Sequence, residues 1–381
     1  MDRTVRTAIV VGAGIAGLAT AVALARAGWS VTVLERAKRL RGGAYVVGFS
    51  GIGYAAATQL GLVDSLQARA SPWRELQQVD GTGRVLGRMS EAAQRSLTGR
   101  RTISVLRGDL ESVLYRSAQA LADVRFGQQI TALDSSPDGA GVTLDDGSQI
   151  TADLLIGADG AHSTVRRLVF GPEDRWRYDL GANVASYGIS DPPAPVREKT
   201  TMFTSVGRSA GLYPQRDGRL SAFFTFVTDS TDSTDSTDRP DPVTSLQHAY
   251  GDLDWLWPDI IGRAAAESVF FDDISQIRMR QWSRGRVVLL GDAAWAVSLL
   301  AGAGSSLAVG GALCLARQLA GTPDIATGLQ GWERAMRPRV LAKQFLGRRT
   351  KQLFLPSTEV AVRLRIAGIR AAGLLLDSRH D

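Results

Sequence analysis

The chain has 381 residues, of which 44% are hydrophobic and 22% are charged, a composition typical of a globular protein with a large buried core. Its single cysteine excludes an internal disulfide framework and a paired-cysteine metal site, so we expect a reducing, cytoplasmic location and no bound metal. The net charge of +6 is unevenly distributed, because residues 334–376 hold ten Lys/Arg and one acidic residue, Glu359.

We interpret this basic segment as the solvated outer faces of C-terminal helices. The charge balance leaves open an acidic partner, a lipid surface or an anionic substrate. The segment lacks the regular interleaving of aromatic residues that is typical of nucleic-acid binding, so we expect no nucleic-acid partner.

The N-terminal part of the chain predicts a strand, a helix and a second strand. "TAIVV" (7–11) is a short apolar strand, and residues 14–27 are rich in helix formers and are followed by Gly28, a residue that favours a helix end. "SVTVL" (30–34) is the second strand. Parallel strands joined by a helical crossover predict an α/β fold of the Rossmann type.

"GAGIAG" fits the pattern G-x-G-x-x-G at the turn between this first strand and its helix. Gly12 permits the tight turn, Gly14 lets the backbone approach a pyrophosphate, and Gly17 allows close packing of helix and strand. Glu35 at the end of the second strand would accept hydrogen bonds from the ribose hydroxyls of an adenosine. The motif predicts an ADP-containing dinucleotide, bound by Gly12, Ala13, Gly14, Ile15, Ala16 and Gly17.

Later strands have a different pattern. A hairpin with its turn at Asp146-Gly147 is predicted within residues 142–160. Strand-like segments at 182–189, 201–207 and 219–227 predict an antiparallel sheet inserted into the α/β domain. The repeat "TDSTDSTDSTD" (228–238) is polar throughout and predicts a disordered surface loop, whereas the pattern beyond residue 321 is helical.

Two further motifs accompany the glycine turn, "LLIGADGAHSTVR" (154–166) and "GRVVLLGDAA" (285–294). With these three motifs in this order, the chain resembles the group A FAD-dependent monooxygenases, the para-hydroxybenzoate hydroxylase-like family. Within that family it is most similar to the branch of tetracycline-inactivating and antibiotic-tailoring monooxygenases. The resemblance covers roughly residues 5–355.

The resemblance implies three structural units. A discontinuous, Rossmann-type FAD-binding domain with a parallel sheet would comprise residues 1–70, 100–174 and 273–330. A substrate-binding domain with an antiparallel sheet would comprise residues 71–99 and 175–272. C-terminal helices would occupy residues 331–381.

The resemblance also implies roles for individual residues. Asp292 would bind the ribityl chain of FAD, and Arg107 would contact the flavin side chain from a helix start. Asp159 would be associated with the binding of both FAD and the nicotinamide donor. The adenosine end would be contacted by Glu35, Arg36 and Ile130, and Arg39 matches a residue linked to the nicotinamide donor.

After Asp292 the chain runs for 24 residues without a charged side chain. This length is compatible with a membrane span, but the glycines at 302, 304, 310 and 311 argue against one. The resemblance implies instead a loop beside the isoalloxazine ring, followed by a helix whose N-terminus points at the ring. The residues assigned to this contact are Gly302, Ala303, Gly304 and Ser305.

Relatives carry a histidine and a proline where this chain has Trp295 and Leu299, and both positions are expected near the oxygen-reacting edge of the flavin. Val46 and Val47 stand where many relatives have an acidic residue. No catalytic side chain is predicted, because in this family the flavin performs the chemistry. The three histidines, His162, His248 and His380, are expected to be separate surface residues.

The resemblance predicts an FAD-dependent monooxygenase that uses NADPH or NADH and O2 to hydroxylate or epoxidise an aromatic or polyketide-like small molecule in secondary metabolism. An FAD oxidase or dehydrogenase, and a flavoprotein whose structural FAD supports a non-redox cyclisation, are the alternatives. The oligomeric state stays open. Substrate contacts are predicted from the inserted sheet at Arg208, Tyr213, Tyr187, Phe203 and Phe224, with Arg208 favoured.

Overall fold

A computed structural model describes residues 5–40, 42–99, 101–228 and 241–377 of the chain. The loop predicted at 228–238 lies outside these residues except for Thr228, and His380 lies outside them as well.

The strands of the described residues are β1 (Thr7–Val11), β2 (Ser30–Glu35), β3 (Val46–Ser50), β4 (Leu76–Val79), β5 (Val85–Met89), β6 (Thr102–Leu106), β7 (Asp123–Phe126), β8 (Ile130–Ser135), β9 (Ala140–Leu144), β10 (Gln149–Ala152), β11 (Leu154–Gly157), β12 (Arg177–Ile189), β13 (Thr200–Ser205), β14 (Arg208–Pro214), β15 (Leu220–Val227), β16 (Phe270–Ile277), β17 (Ser283–Arg284) and β18 (Val287–Leu289). The α-helices are α1 (Ile15–Arg26), α2 (Gly51–Gln59), α3 (Val63–Gln67), α4 (Glu91–Thr98), α5 (Arg107–Gln119), α6 (Thr164–Phe170), α7 (Pro242–Tyr250), α8 (Trp257–Arg263), α9 (Asp292–Trp295), α10 (Gly304–Ala320), α11 (Ile325–Phe354) and α12 (Glu359–Asp377).

A six-stranded sheet with the order β17-β18-β11-β1-β2-β7 forms the first layer. Its strands are parallel except for β17, which pairs antiparallel with β18. The residues of β11 and β18 are buried throughout, as expected for strands of a parallel sheet with both faces covered. This sheet, with α1 as the crossover between β1 and β2, confirms the predicted Rossmann-type architecture.

A seven-stranded sheet with the order β16-β12-β15-β14-β13-β4-β5 forms the second unit. Its neighbours are antiparallel apart from the parallel pair of β4 and β13. One face packs against α7 and α8 around a separate apolar core that includes Tyr250 and Trp257. The inserted antiparallel sheet is therefore confirmed, and two of its strands come from the segment 71–99.

Helix α11 begins earlier than the predicted boundary at residue 331. The Asp324 carboxylate accepts hydrogen bonds from the backbone N–H groups of Ala326 and Thr327, at 3.3 and 2.8 Å, and so caps the helix at Ile325. The boundary consequently falls inside a continuous helix of 30 residues. No helix within the described ranges is long and apolar enough to cross a membrane.

Candidate functional site

A cavity of about 1090 Å³ lies between the two large sheets, and we call it the central cavity. Its lining includes the chain segments that follow the carboxyl ends of β1, β2 and β11, together with the turn after β18. Ligands of open α/β sheets bind at these strand ends. The opposite wall comes from β12, β14, β15 and β16 of the antiparallel sheet.

The glycine turn after β1 is closely packed. Gly12 has φ +105°, and a Cβ atom there would lie 2.6 Å from the carbonyl oxygen of Ala158. A Cβ atom at Gly17 would overlap the carbonyl oxygen of Gly12. Helix α1 starts directly at the turn with Gly14 as its cap, and no side chain among the described residues forms a capping hydrogen bond to it. The N-terminus of α1 opens into the central cavity, and a helix N-terminus of this kind can bind an anion.

Glu35 holds this turn against the end of β2. Its carboxylate accepts hydrogen bonds from the backbone N–H groups of Ala13 at 2.9 Å and Ala37 at 2.8 Å. Arg36 and Ile130 line the same end of the cavity, Arg36 exposed and Ile130 buried. This end can therefore bind a hydroxyl-bearing, partly apolar group such as an adenosine.

A second helix, α10, also begins at the central cavity. It starts at Gly304 after Ala303, and Gly302 before it has φ +58°. In the part of the chain that the structure describes, no side chain caps this helix. A Cβ atom at Gly291 would lie 2.6 Å from the Cβ of Ala16, so the turn after β18 contacts α1 directly. Two uncapped helix N-termini thus open into one cavity, where each favours negative charge.

A cluster of ionisable groups lies between these helix ends. The Arg107 guanidinium pairs with the buried Glu111 carboxylate at 2.7 Å and lies over the Tyr45 ring. The Asp292 side chain is open to the cavity but surrounded by protein, and this burial raises its pKa against the opposing effect of Arg107. Burial also raises the pKa of Tyr45 to about 12, so its hydroxyl stays protonated.

Asp159 lies where β11 leads into α6. Its carboxylate accepts hydrogen bonds from the Ser163 hydroxyl at 2.5 Å and the Val165 N–H at 3.0 Å, and burial raises its pKa. Arg166, which is fully buried, donates to the carbonyl oxygens of Ala161 at 2.5 Å and Ala293 at 3.0 Å. This arginine ties the loop after β11 to the segment after β18.

The cavity-lining segment 296–301 is held by two buried glutamines. The Gln276 amide donates to the carbonyl oxygens of Val297 at 3.1 Å and Gln344 at 2.8 Å. The Gln344 amide donates to Ile277 O at 2.7 Å and to Ala296 O at 3.4 Å. Buried carbonyl groups need such partners, so the glutamines fix the path of this segment.

Backbone strain lies in the same segment. Ser298 has φ +79°, a conformation that L residues rarely adopt, and its hydroxyl accepts a hydrogen bond from Leu300 N–H at 3.2 Å. The Thr350 hydroxyl donates to Leu300 O at 3.0 Å. Leu299 therefore lines the cavity from a backbone that is fixed on both sides.

Most residues that were predicted to bind the cofactor line the central cavity together. They are Gly12, Ala13, Gly14, Ile15, Ala16, Glu35, Arg36, Arg107, Ile130, Asp159, Asp292, Gly302, Ala303, Gly304 and Ser305, with Arg39 beside them. Gly17 lies one residue beyond the lining and acts through its packing on Gly12.

The structure corrects the placement of Trp295. Its side chain is fully buried and packs against Trp282 and Trp332, with ring centroids 4.6 and 5.5 Å away. It does not line the cavity, whereas Leu299 does. Trp295 turns away because α9 directs it into the core beneath the segment 296–301.

Four of the five predicted substrate residues also lie elsewhere. Tyr187, Phe203 and Phe224 belong to the apolar core under α7 and α8, on the face of the sheet that is turned away from the cavity. Arg208 pairs with Asp252 at 2.5 Å and does not line the cavity. Tyr213 alone of the five does.

The sequence interpretation missed several residues of the cavity. Tyr45 contacts Phe270 and Phe223, with ring centroids 5.4 and 6.4 Å away, and the three form an aromatic wall. No sequence pattern marked them. Glu111 could have been found, because it follows Arg107 by four residues on a helix, the spacing of an ion pair.

His162 was predicted to be an isolated surface residue. It is exposed, as is His248, but its ring contacts Glu173 at 2.9 Å and Asp272 at 3.3 Å at the cavity lining. These hydrogen bonds raise the pKa of His162 to about 9. Arg166 joins the cluster through Glu173 at 2.8 Å.

Comparison with known proteins gives a consistent result. The sequence profile of a family described as an FAD binding domain matches residues 5–324. A flavin-dependent monooxygenase of Legionella longbeachae is 28% identical over 363 residues, covering 93% of this chain and 90% of the relative. The crystal structure of tetracycline destructase Tet(55) superposes with a TM-score of 0.82 at 25% identity, covering 98% of this chain and 97% of that one. Klebsiella pneumoniae HpxO complexed with FAD and uric acid superposes with a TM-score of 0.79 at 25% identity, covering 98% and 95%.

Replacing Gln344 tests whether the glutamines hold the segment 296–301. We expect Gln344→Leu to lower the free energy of unfolding by about 1–3 kcal/mol, because it removes the 2.7 Å donor of the Ile277 carbonyl oxygen and one of the two donors to Ala296 O. Amide hydrogen exchange should accelerate within 296–301. The control Gln77→Leu, which removes a buried hydrogen bond of 2.9 Å to Thr201 outside the cavity lining, should leave exchange in this segment unchanged. Equal acceleration in both variants would contradict the role of Gln344.

The charge of His162 predicts a pH-dependent stability. Because folding raises the pKa of His162 from 6.5 to about 9, protonation of its imidazole stabilises the folded state. This contribution is complete below pH 6.5 and is lost as the pH rises through 9. His162→Gln should therefore unfold at a lower temperature than the wild type near about pH 6, with the difference vanishing near about pH 10. His248→Gln, at an exposed position on α7, is the control and should show no such trend. A difference that is independent of pH would argue against a charged His162.

Proposed function

This chain belongs to the FAD-binding-domain family of flavoproteins, and from that premise we propose that it is an FAD-dependent monooxygenase acting on an aromatic or polyketide-like small molecule. The observation that carries the proposal is that two uncapped helix N-termini, the ionisable side chains of Arg107 and Asp292 and an aromatic wall converge on one cavity. The name of the Legionella relative supports the reaction type.

The residues present fit FAD. Glu35, Arg36 and Ile130 would hold the adenosine, and the pyrophosphate would lie at the N-terminus of α1, where a side chain at Gly14 would narrow the approach. Asp292 would accept hydrogen bonds from the ribityl hydroxyls. Arg107 would balance the charge of Asp292 and contact the flavin side chain.

When bound, FAD accepts hydride from a reduced nicotinamide and activates O2 for transfer to a substrate. The N-terminus of α10 would stabilise negative charge at the ring, because it offers unpaired N–H groups without a bulky side chain. Leu299 and the rest of segment 296–301 would exclude water from this end of the cavity.

The substrate would contact the wall formed by Tyr45, Phe223 and Phe270. Aromatic side chains in this arrangement favour a planar ring by stacking or edge contacts. The Tyr45 hydroxyl, which stays protonated because burial raises its pKa to about 12, can donate a hydrogen bond to an acceptor on the substrate. Tyr213 completes this side of the cavity.

We infer NADPH or NADH as the reductant and O2 as the oxygen donor. A second G-x-G-x-x-G turn is not evident in the sequence, so the nicotinamide would bind transiently at the central cavity, near Arg39 and Asp159. We place the reaction in the cytoplasm and in secondary metabolism, on the basis of the lone cysteine and of the motifs shared with antibiotic-tailoring enzymes.

Labelled oxygen tests the proposal directly. Holoprotein, NADPH or NADH and isotopically labelled O2 would be incubated with a panel of phenolic compounds that includes tetracycline. We expect nicotinamide oxidation that depends on the substrate, and a product that contains one labelled oxygen atom. Oxidation without label in the product would favour an oxidase or dehydrogenase, and product formation without nicotinamide oxidation would favour a structural FAD.

A further inference from the structure

The outer side of α11 presents apolar side chains to solvent. Leu341, Phe345 and Leu353 are 54%, 50% and 59% exposed, and Leu346 beside them is 40% exposed. The opposite side of the helix is buried, in part against α10 and the segment 296–301. These apolar residues are therefore not part of the core that holds α11 in place.

Arginines are interleaved with these apolar residues. Arg334, Arg339, Arg348 and Arg349 are exposed, and within the described ranges none of them forms an ion pair with a carboxylate. Arg348 also donates a hydrogen bond to Gln276 Oε1 at 3.3 Å, whereas Arg334 and Arg349 form no such contact with the interior among the described residues. The single acidic residue of the helix, Glu333, pairs with Arg337 instead.

The ring of Phe345 lies beneath two of these guanidinium groups. Their central carbons are 4.6 Å (Arg349) and 5.8 Å (Arg348) from the ring centroid. The aromatic ring and the positive charges are thus presented together on the same helix side. A surface of this kind combines side chains that can enter an apolar layer with groups that can bind phosphate.

We propose that the outer side of α11 binds an anionic lipid surface, with the helix axis parallel to the membrane plane. The charge is complementary to lipid phosphates, and the leucine and phenylalanine side chains would lie among the acyl chains. A nucleic acid would leave the exposed leucines without a role. A second copy of the chain, packed on the same surface, would bring unpaired arginines together.

Helix α11 carries the proposed lipid-binding side and also forms part of the wall of the central cavity. Phe354 at its C-terminal end lines the cavity, and Gly347 packs against the carbonyl oxygen of Val297 in the segment 296–301. If the proposed function holds, apolar substrates that concentrate in the bilayer would be close to the enzyme that consumes them. Lipid binding itself does not depend on turnover and can be measured separately.

Vesicle sedimentation of the full-length holoprotein tests the proposal. We expect binding to phosphatidylcholine vesicles that contain phosphatidylglycerol, weakening as salt is raised, and no binding to phosphatidylcholine alone. The double variant Arg334→Gln/Arg349→Gln should bind about 25-fold more weakly, since each arginine near the surface contributes about fivefold. The matched control Arg26→Gln/Arg116→Gln removes two exposed arginines from other helices and should bind nearly as the wild type does.

The apolar residues require their own variants. Phe345→Gln and Leu353→Gln should each weaken binding severalfold, whereas Leu97→Gln and Leu121→Gln, at exposed positions on other parts of the chain, should not. FAD content and circular dichroism would establish that each variant is folded. If only one of the two α11 variants folds, that variant alone tests the apolar contribution.

Three results would overturn the proposal. The first is that the wild type binds vesicles of neither composition, or binds both compositions equally. The second is that the protein binds heparin as well as it binds anionic vesicles and that neither apolar variant changes vesicle binding. This would indicate a general polyanion or nucleic-acid surface. The third is that sedimentation velocity shows a dimer that Phe345→Gln dissociates. This would indicate that a second copy of the chain covers the outer side of α11.

Discussion

Close backbone packing at three glycines determines where the groups of the central cavity lie. Gly17 leaves room for the carbonyl oxygen of Gly12, and Gly12 itself contacts the backbone of Ala158. Gly291 contacts Ala16, so the turn that carries Asp292 lies against the first turn of α1. A larger residue at any of these positions would separate two elements that the cavity needs together. The convergence of both helix N-termini follows from these contacts.

Polar groups in the interior then fix the loops that the glycines bring together. Arg166 donates to carbonyl oxygens in the two segments that follow β11 and β18. Gln276 and Gln344 donate hydrogen bonds to carbonyl oxygens of the segment 296–301. Leaving a buried carbonyl group unpaired costs about 1–3 kcal/mol, so these side chains make one arrangement of the cavity much more stable than others. A preorganised cavity of this kind suits a cofactor that must be held in one orientation.

The sequence was sufficient to predict which residues of the α/β domain gather at the central cavity, because glycine turns and strand-end carboxylates are local features with fixed spacing. It was not sufficient for the substrate side. Successive residues of a strand point to opposite faces, so an error of one position selects the wrong side of the sheet. Phe224 faces the apolar core whereas Phe223 lines the cavity, and Tyr187 is buried whereas Ser186 lines it. Which face receives α7 and α8 depends on tertiary packing that no local pattern records.

The affinity of the apoprotein for FAD tests the central claim of this account, that the packed glycines place Asp292 on the cofactor. Flavin fluorescence titration of Asp292→Asn should give a dissociation constant roughly tenfold to a hundredfold above that of the wild type, since a hydrogen bond to a charged group contributes about 1.5–3 kcal/mol. Asp138→Asn, in an exposed turn remote from the cavity lining, should bind FAD as the wild type does. An unchanged dissociation constant for Asp292→Asn would contradict the account.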